Sequence, residues 1–163
     1  MVERAGQVPL DIAAVNASIE RELQGAIFAA LRRRAPLQVR MEPGRYCVAP
    51  AGVLVARVTR CREKHGLQFV GLSAGMNALI RPALYGANHA IANLSKLSEY
   101  HSMPCVAAGP ICESADIVCE SAFLPETTAP GDLVVVVNAG AYGRVMASSY
   151  NARQVPTSVF LGR

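Results

Sequence analysis

From about residue 46 onward the chain consists of short apolar runs separated by Gly and Pro, and this texture limits the folds open to it. The runs cover residues 52–59, 67–72, 105–108, 133–137 and 157–161. Runs of this length between turn-forming residues are typical of β-strands. All are far shorter than the about 20 apolar residues that a membrane-spanning helix needs. We therefore predict a strand-rich domain with no membrane partner.

The residues before this domain follow a helical period instead. Between Asp11 and Arg34 apolar residues recur every three or four positions. They are Ile12, Val15, Ile19, Leu23, Ile27 and Leu31. Pro36 ends the pattern, and Leu37–Met41 then alternates apolar and polar residues as a strand does. We predict a helix over about 11–34, then one strand.

One helix and one strand cannot form a layer by themselves. Either they pack on the strand-rich domain, or they are the stub of a larger barrel whose other segments lie outside this chain. Short helical turns are also predicted around Pro82 within 76–91 and over 141–150. The predicted fold class is α+β, mainly β, with a domain boundary near residues 46–50.

Charge and cysteine content argue against several functions. Lys and Arg number 16 against 12 Asp and Glu, and the single basic run, Arg32–Arg34, is weak evidence for nucleic-acid binding. The first seven residues show no secretory pattern, so we expect a cytoplasmic protein. The five cysteines form no C-x-x-C pair, which favours reduced thiols over a metal site. His65, His89 and His101 share no ligand spacing and are interpreted as surface or core residues.

Two candidate binding segments contain arginine. Glu42-Pro43-Gly44-Arg45 could bring backbone N–H groups and a guanidinium against a phosphate, although a plain Pro-Gly turn with a solvated Arg explains it too. Arg81 and Tyr85 lie four positions apart, on one face of a helix, where they could bind a carboxylate. Structural stacking of the same pair is the alternative.

Two further candidates lie in predicted loops. Cys112 and Glu113 follow Gly109-Pro110, so a thiol and a carboxylate stand together where functional residues often occur. An inert, half-buried Cys is the alternative. Tyr142 lies between Gly140 and Gly143, which lets backbone approach a flat ligand closely. A buried Tyr with a satisfied hydroxyl would look the same.

Taken together and in order, these segments resemble a known enzyme family. The segments are Glu42-Pro43-Gly44-Arg45, Gly75-Met76-Asn77 with Leu79 to Tyr85, Gly109 to Ser114, and Asn138 to Gly143. Over about residues 37–161 the chain resembles the C-terminal half of diaminopimelate decarboxylase, of the pyridoxal-phosphate-dependent ornithine, diaminopimelate and arginine decarboxylases. The segment from Ala74 to Gly86 is similar to the form fused to aspartate kinase.

The resemblance implies a fold and an assembly. That family binds its cofactor in an eight-stranded α/β barrel, and a C-terminal β-barrel or sandwich domain of the alanine-racemase-like decarboxylases completes the site across a homodimer. Residues 1–48 would then be the last helix, strand and turn of an incomplete barrel, and residues 49–163 the β domain. The chain would be a piece cut at both ends, partnered by a second copy or by a chain that bears the barrel.

The resemblance also implies cofactor-binding roles. Glu42 would face the pyridine nitrogen of pyridoxal 5′-phosphate, and Gly44 with Arg45 would hold its phosphate. Tyr142 would contact both cofactor and substrate. The family's cofactor-bearing lysine lies upstream of everything in this chain, and Lys64 and Lys96 do not match it.

The same resemblance implies substrate-binding and catalytic roles. Arg45, Arg81 and Tyr85 would bind the distal carboxylate of an amino-acid substrate, and Glu113 its distal ammonium group. Cys112, entering from the partner subunit, would donate the proton that follows loss of carbon dioxide. No metal is implied.

The implied function is conversion of meso-diaminopimelate to L-lysine and carbon dioxide in lysine biosynthesis, with no activity expected from the chain alone. A noncatalytic remnant or dimerisation module is an alternative reading. A decarboxylase of ornithine or arginine is another, although Arg81 with Tyr85 favours a substrate that carries a second carboxylate.

Overall fold

The computed structural model describes residues 8, 10–25 and 38–162, and its internal contacts divide the chain into Met1–Pro43 and Gly44–Arg163. In the first unit, helix α1 spans Ile12–Leu23. Asp11 caps it, because its carboxylate accepts hydrogen bonds from the backbone N–H groups of Ala13 (2.9 Å) and Ala14 (3.1 Å). The predicted start of the helix is thus confirmed. Its predicted continuation is wrong at Gln24 and Gly25, which form a turn, and 26–34 lie outside the described residues.

The predicted strand over Leu37–Met41 is wrong over its described part. Residues 38–43 form neither helix nor strand, and Leu37 lies outside the described residues. A strand exists only where a neighbour pairs with its backbone, and the described part of this unit contains no second strand. The Glu42-Pro43-Gly44-Arg45 segment leads into a helix rather than ending in a turn: α2 spans Gly44–Val48, and a 3-10 helix over Ala49–Ala51 follows.

The second unit is built on one six-stranded sheet. Its strands are β1 (Leu54–Lys64), β2 (Leu67–Leu72), β3 (Ile91–Asn93), β4 (Met103–Ala108), β5 (Ile117–Leu124) and β6 (Leu133–Val136). They lie in the order β3-β6-β1-β2-β4-β5, and all neighbours are antiparallel except the parallel pair β2 and β4. The outer strands β3 and β5 contact each other, so the sheet curls almost closed. A mainly β fold is therefore confirmed.

Alternating burial along the strands explains the core. Residues at every second position of β1, such as Ala56 and Val58, point inward, and the other strands supply the same pattern. The inner cluster comprises Ala56, Val58, Val70, Leu72, Leu79, Ile91, Cys105, Ala107, Val118, Ala122, Leu124, Val134 and Val136. His65 (φ 53°) and Gly66 (φ 75°) join β1 to β2 in a two-residue hairpin of the left-handed kind that suits strand twist.

Four of the five predicted strand segments are confirmed as β1, β2, β4 and β6. The fifth, 157–161, is wrong: these residues are exposed and pair with none of the six strands, and a strand does not form without a paired neighbour. Sequence patterns missed β3, which is only three residues long, and β5, whose apolar residues are interrupted by Glu120 and Ser121.

Helical turns were predicted correctly in both places. Helix α3 spans Arg81–Tyr85 and has Pro82 in its first turn. Short 3-10 helices lie over Arg144–Met146 and Tyr150–Ala152.

Candidate functional site

Helix α3 carries the predicted carboxylate-binding pair. It is one turn long and is followed by Gly86, which adopts a left-handed conformation (φ 60°) and donates its N–H to the Pro82 carbonyl (2.9 Å). Arg81, at its start, is only 4% exposed, whereas Tyr85 is 63% exposed. The helix therefore offers a buried guanidinium and an exposed phenol ring from the same short element.

The Arg81 guanidinium contacts a buried imidazole. Its Nη1 lies 3.0 Å from Nε2 of His89, and Nδ1 of the same ring lies 2.9 Å from the carbonyl oxygen of Val137. His89 is 1% exposed. Val137 directly follows β6, and its own N–H donates to the Ala90 carbonyl (3.0 Å). The helix that holds Arg81 is thus joined to the end of β6.

The end of β6 leads directly into the turn that carries Tyr142. Asn138 and Tyr142 both adopt positive φ angles of 59°, so the backbone reverses sharply on each side of Gly140. A Cβ atom on Gly140 would overlap the carbonyl oxygen of Val48, so only glycine fits there. Tyr142 itself is half-exposed, so its ring is accessible to a ligand.

The same turn is bonded to the segment that follows α2. The Gly140 N–H donates to the Ala49 carbonyl (3.0 Å), and the Ala139 N–H donates to the Gly52 carbonyl (2.8 Å). Gly44 and Arg45 begin α2 on the exposed surface, and among the described residues no atom other than those of its neighbours in the chain lies within 4 Å of the position that a Gly44 Cβ would occupy. The predicted phosphate-binding residues and the Tyr142 turn therefore belong to neighbouring segments. Glu42 lies in the first unit, where it is exposed.

Cys112 and Glu113 are exposed on a loop that Asp116 shapes. The buried Asp116 carboxylate accepts hydrogen bonds from the N–H groups of Ile111 and Met76, both at 2.6 Å. Gly75 and Gly109 flank it so closely that a Cβ on either would overlap the carboxylate. One buried carboxylate therefore fixes the start of the Cys112 loop and ties it to the segment that leads to α3.

Two further hydrogen bonds connect the segment after Tyr142 with the segment before Arg81. The Ser148 N–H donates to the Asn77 carbonyl (2.8 Å), and the Asn77 side-chain amide donates to the Gln154 carbonyl (3.3 Å). These two contacts join the residues after Tyr142 to those before Arg81. The structure thus brings together the four segments of the second unit that contain Arg45, Arg81, Cys112 and Tyr142.

Burial separates the five thiols, which are all unpaired. Burial raises the pKa of Cys105 from 9.0 to about 11, with a smaller contribution from Cys119. Burial also raises the pKa of Cys61 and of Cys119. Cys47 and Cys112 are exposed. Cys112 is therefore accessible enough to donate a proton in a binding site, whereas Cys105 is buried and Cys61 and Cys119 are partly buried.

Lys96 is engaged in a polar cluster at the start of β6. Its ammonium lies 2.9 Å from the Asp132 carboxylate and also donates to the Thr127 carbonyl. Asn93 donates to the same carboxylate (2.9 Å), and so does the Ala129 N–H (3.0 Å). The Lys96 hydrogen bond, supported by that from Asn93, lowers the pKa of Asp132 from 3.8 to about 2. Lys64 ends β1 beside the hairpin, on the exposed surface.

Comparison with known proteins identifies the family. Residues 45–140 match the family described as "Pyridoxal-dependent decarboxylase, C-terminal sheet domain". The chain belongs to this pyridoxal-dependent decarboxylase family. Diaminopimelate decarboxylase of Archaeoglobus fulgidus is 38% identical to it over 157 residues, which is 93% of this chain and 37% of that protein.

Solved structures of the decarboxylase family share the fold. Diaminopimelate decarboxylase from Helicobacter pylori complexed with L-lysine superimposes with a TM-score of 0.73 and 35% identity, over 92% of this chain and 34% of that one. Lysine/ornithine decarboxylase from Vibrio vulnificus complexed with cadaverine gives a TM-score of 0.64 and 27% identity, over 73% and 32%. The chain therefore spans about a third of the length of these relatives and corresponds to the C-terminal part of a diaminopimelate decarboxylase.

Sequence reasoning missed two residues of this decarboxylase domain that support its loops. His89 was interpreted only as a surface or core histidine, and Asp116 was not singled out. The glycines that flank Asp116 in space, Gly75 and Gly109, were noted, but no local pattern shows that one carboxylate lies between them. Among the described residues no three His, Cys, Asp or Glu side chains gather as metal ligands would, and no helix is long and apolar enough to span a membrane.

Proposed function

We propose that this chain supplies the C-terminal part of the active site of a decarboxylase that converts meso-diaminopimelate to L-lysine and carbon dioxide. The observation that carries the proposal is the joining of the Arg81, Cys112 and Tyr142 segments by hydrogen bonds, in a fold shared with diaminopimelate decarboxylases. A relative that binds L-lysine, the product of this reaction, adds support.

The residues of the chain fit part of a pyridoxal-phosphate site. An exposed Arg45 at the start of α2, next to an unobstructed Gly44, suits a phosphate group. Tyr142, which is half-exposed in the second unit, would contact the ring of the cofactor. For Glu42, which belongs to the first unit, the family resemblance alone supports the role of keeping the pyridine nitrogen protonated. When bound, the cofactor accepts the electron pair left by departing carbon dioxide. Neither Lys96, which is held by Asp132, nor Lys64, at the hairpin, stands among these residues, so the covalent anchor would come from a barrel.

The substrate would be oriented by charge. Arg81 and Arg45 would bind its distal carboxylate together with the Tyr85 hydroxyl, and Glu113 would bind its distal ammonium. As the C–C bond to the departing carboxyl group breaks, the Cys112 Sγ–H would deliver a proton to the same carbon, forming the new C–H bond. In a homodimer Cys112 would serve the second subunit's site, which agrees with its exposure.

Arg81 distinguishes this substrate from ornithine and arginine. Those amino acids have no second carboxylate, so they offer no group of opposite charge to the Arg81 guanidinium at the distal end of the site. The lysine/ornithine decarboxylase complexed with cadaverine is the less similar of the two solved relatives, in both identity and TM-score.

The direct test measures lysine and carbon dioxide formed from meso-diaminopimelate with added pyridoxal phosphate. It uses the 163-residue chain alone, and then the chain mixed with a separately expressed barrel domain of the Archaeoglobus fulgidus relative. We expect activity only in the mixture, and at least about a hundredfold less with Cys112→Ala, because a general acid contributes about that much. The matched control is Cys47→Ala, the other exposed thiol.

Two outcomes would contradict the proposal. A mixture that assembles but forms no lysine would favour a noncatalytic remnant or dimerisation module. Activity of the chain alone, with borohydride fixing the cofactor to Lys64 or Lys96, would show that the anchor lies within this chain.

A further inference from the structure

One protonation state of His89 satisfies its contacts with both Arg81 and Val137. Arginine can only donate hydrogen bonds, so His89 Nε2, 3.0 Å from Arg81 Nη1, must accept with a free lone pair. A carbonyl oxygen can only accept, so Nδ1, 2.9 Å from the Val137 oxygen, must carry the proton. The ring is therefore neutral and in the Nδ1–H form. A second proton on Nε2 would face the guanidinium and break the contact.

The two partners of His89 belong to different parts of the candidate site. Arg81 begins α3, and Val137 is the last residue before the turn that contains Tyr142. A guanidinium recognises a carboxylate through a flat array of N–H groups, so the orientation of its plane decides how well both oxygens are bound. A side chain that is bonded to the rigid end of a strand and holds the guanidinium plane in one orientation affects ligand recognition without touching the ligand.

We propose that His89, as the neutral Nδ1–H imidazole, is a positioning residue that fixes the Arg81 guanidinium relative to the Tyr142 turn and so sets the preference for a substrate with a second, distal carboxylate. This inference rests on the proposed function, because it assigns Arg81 to that carboxylate. It adds a residue, His89, and a physical cause for the selectivity of the site.

Two substitutions separate the two contacts. The amide of Asn in His89→Asn can reach the position of Nδ1 and donate to Val137, but it removes the acceptor that Nε2 of His89 offers to Nη1 of Arg81. The amide oxygen of Gln in His89→Gln can reach the position of Nε2 and accept from Arg81, but it leaves the Val137 carbonyl without that donor. His65→Asn is the matched control, because His65 is exposed in the β1–β2 hairpin with a positive φ that Asn tolerates.

The first measurement uses the chain by itself. Long-range ¹H–¹⁵N correlation spectra of ¹⁵N-histidine protein at pH 7 report which ring nitrogen carries a proton, and the signals lost in His89→Asn assign the ring. We expect a protonated Nδ1 and an unprotonated Nε2. An Nε2–H ring or a doubly protonated ring would overturn the proposal without reference to any activity.

The second measurement uses the mixture with the barrel domain. We expect His89→Asn to raise KM for diaminopimelate about tenfold, the value of one charge-assisted hydrogen bond, with kcat within about threefold. The inhibition constant of cadaverine, which has no carboxylate, should stay unchanged. His89→Gln should recover KM to within about threefold of the parent, and His65→Asn should match the parent.

These readouts distinguish positioning from a general structural role. If KM and the cadaverine constant rise together, or if His89→Gln is as impaired as His89→Asn, His89 supports the fold rather than the selectivity. If neither variant changes KM, the proposal is wrong while the proposed function stands. If the parental mixture does not decarboxylate diaminopimelate, the proposed function fails and the selectivity role fails with it, whereas the spectra still decide the tautomer.

Discussion

The five thiols show how far burial alone can separate residues of one type. Cys105 lies in the core with its pKa raised to about 11, and burial also raises the pKa of Cys61 and Cys119. Cys47 and Cys112 are exposed. The thiolate is the reactive form of cysteine. Burial therefore lowers the reactivity of a thiol in two ways, because it restricts access to the sulfur and reduces the fraction that is ionised.

We expect iodoacetamide at pH 8 to modify Cys47 and Cys112 first. The Cys105 thiol, with a pKa of about 11, is ionised to only about one part in a thousand at this pH, and it is also covered. Peptide mass spectrometry over a time course measures the order of labelling. In urea all five thiols should react at similar rates, and labelling of Cys105 as fast as Cys112 in the folded chain would contradict the described core.

Asp132 makes stability depend on pH in a defined window. Its pKa is about 2 when folded against its usual 3.8, so its contribution is complete above about pH 4 and is lost as pH falls through 3.8 towards 2. We expect Asp132→Asn to cost about 1–2 kcal/mol of unfolding free energy at pH 7, a value reduced because the side chain is partly exposed.

Urea unfolding of parent and Asp132→Asn at a series of pH values measures this contribution. The difference between the two should shrink steadily below pH 4 and vanish only below the folded-state pKa of about 2. The exposed Glu120 gives the control, since Glu120→Gln should change stability by less than about 0.5 kcal/mol at pH 7. A difference that does not change with pH would mean that Asp132 acts by packing rather than by charge.

At the scale of elements, the loops of the site are held by contacts between segments far apart in sequence. The Cys112 loop takes its shape from Asp116 and the close approach of Gly75 and Gly109. Helix α3, only one turn long, depends on the bond from Arg81 through His89 to the end of β6. Elements too short to be stable alone are thereby given fixed positions.

We expect Gly109→Ala to destabilise the chain by about 1–3 kcal/mol and to loosen the Cys112 loop. Its Cβ would overlap both the Asp116 carboxylate and the Gly75 backbone, and neither can move freely in a packed interior. Chemical denaturation gives the free energy, and hydrogen exchange of the Ile111 amide reports on the loop. The control is Gly44→Ala, whose new Cβ would lie in open space and should change stability by less than about 0.5 kcal/mol. Equal effects of the two substitutions would contradict the close packing of Gly75 and Gly109 against the Asp116 carboxylate.

At the scale of the whole molecule, the second unit exposes large apolar side chains. Val53, Val55, Phe123 and Val145 are each at least half-exposed, and Phe160 is 93% exposed. Apolar surface of this kind favours association when several such side chains lie near one another.

We therefore expect the isolated chain to self-associate as its concentration rises. Sedimentation velocity over a hundredfold range of concentration should show a rising mean mass, and a dye that binds apolar surface should fluoresce in its presence. Mixing with the barrel domain should reduce the dye signal. A chain that sediments as a monomer throughout the range would contradict this expectation.

The sequence allowed prediction of those features that depend on local pattern. Gly and Pro boundaries located β1, β2, β4 and β6, Asp11 marked the start of a helix, and helical turns were predicted around Pro82. The order of the strands was not predictable, because the parallel pairing of β2 with β4 depends on a connection of thirty residues (73–102) crossing the sheet.

The supporting residues of the site were hidden for the same reason. His89 is 48 positions from Val137, and Asp116 is 40 positions from Met76, so no neighbouring residue reveals their partners. A lone buried His and an Asp at the start of a strand look like ordinary parts of a core. Local patterns singled out the ligand-binding candidates, and the resemblance of whole motifs, in which the spacing of residue types is preserved, assigned their roles.

The strand order also governs how this protein emerges from the ribosome. β6 lies between β3 and β1 in the sheet, yet it is synthesised last of the six. Until residue 136 leaves the exit tunnel, β3 and β1 each have an unpaired edge, and such edges can pair with strands of other nascent chains. Rapid translation of residues 94–136 would shorten that interval. A stall between β5 and β6 would prolong it, and the ribosome-bound chain would then be most prone to aggregate and to bind chaperones.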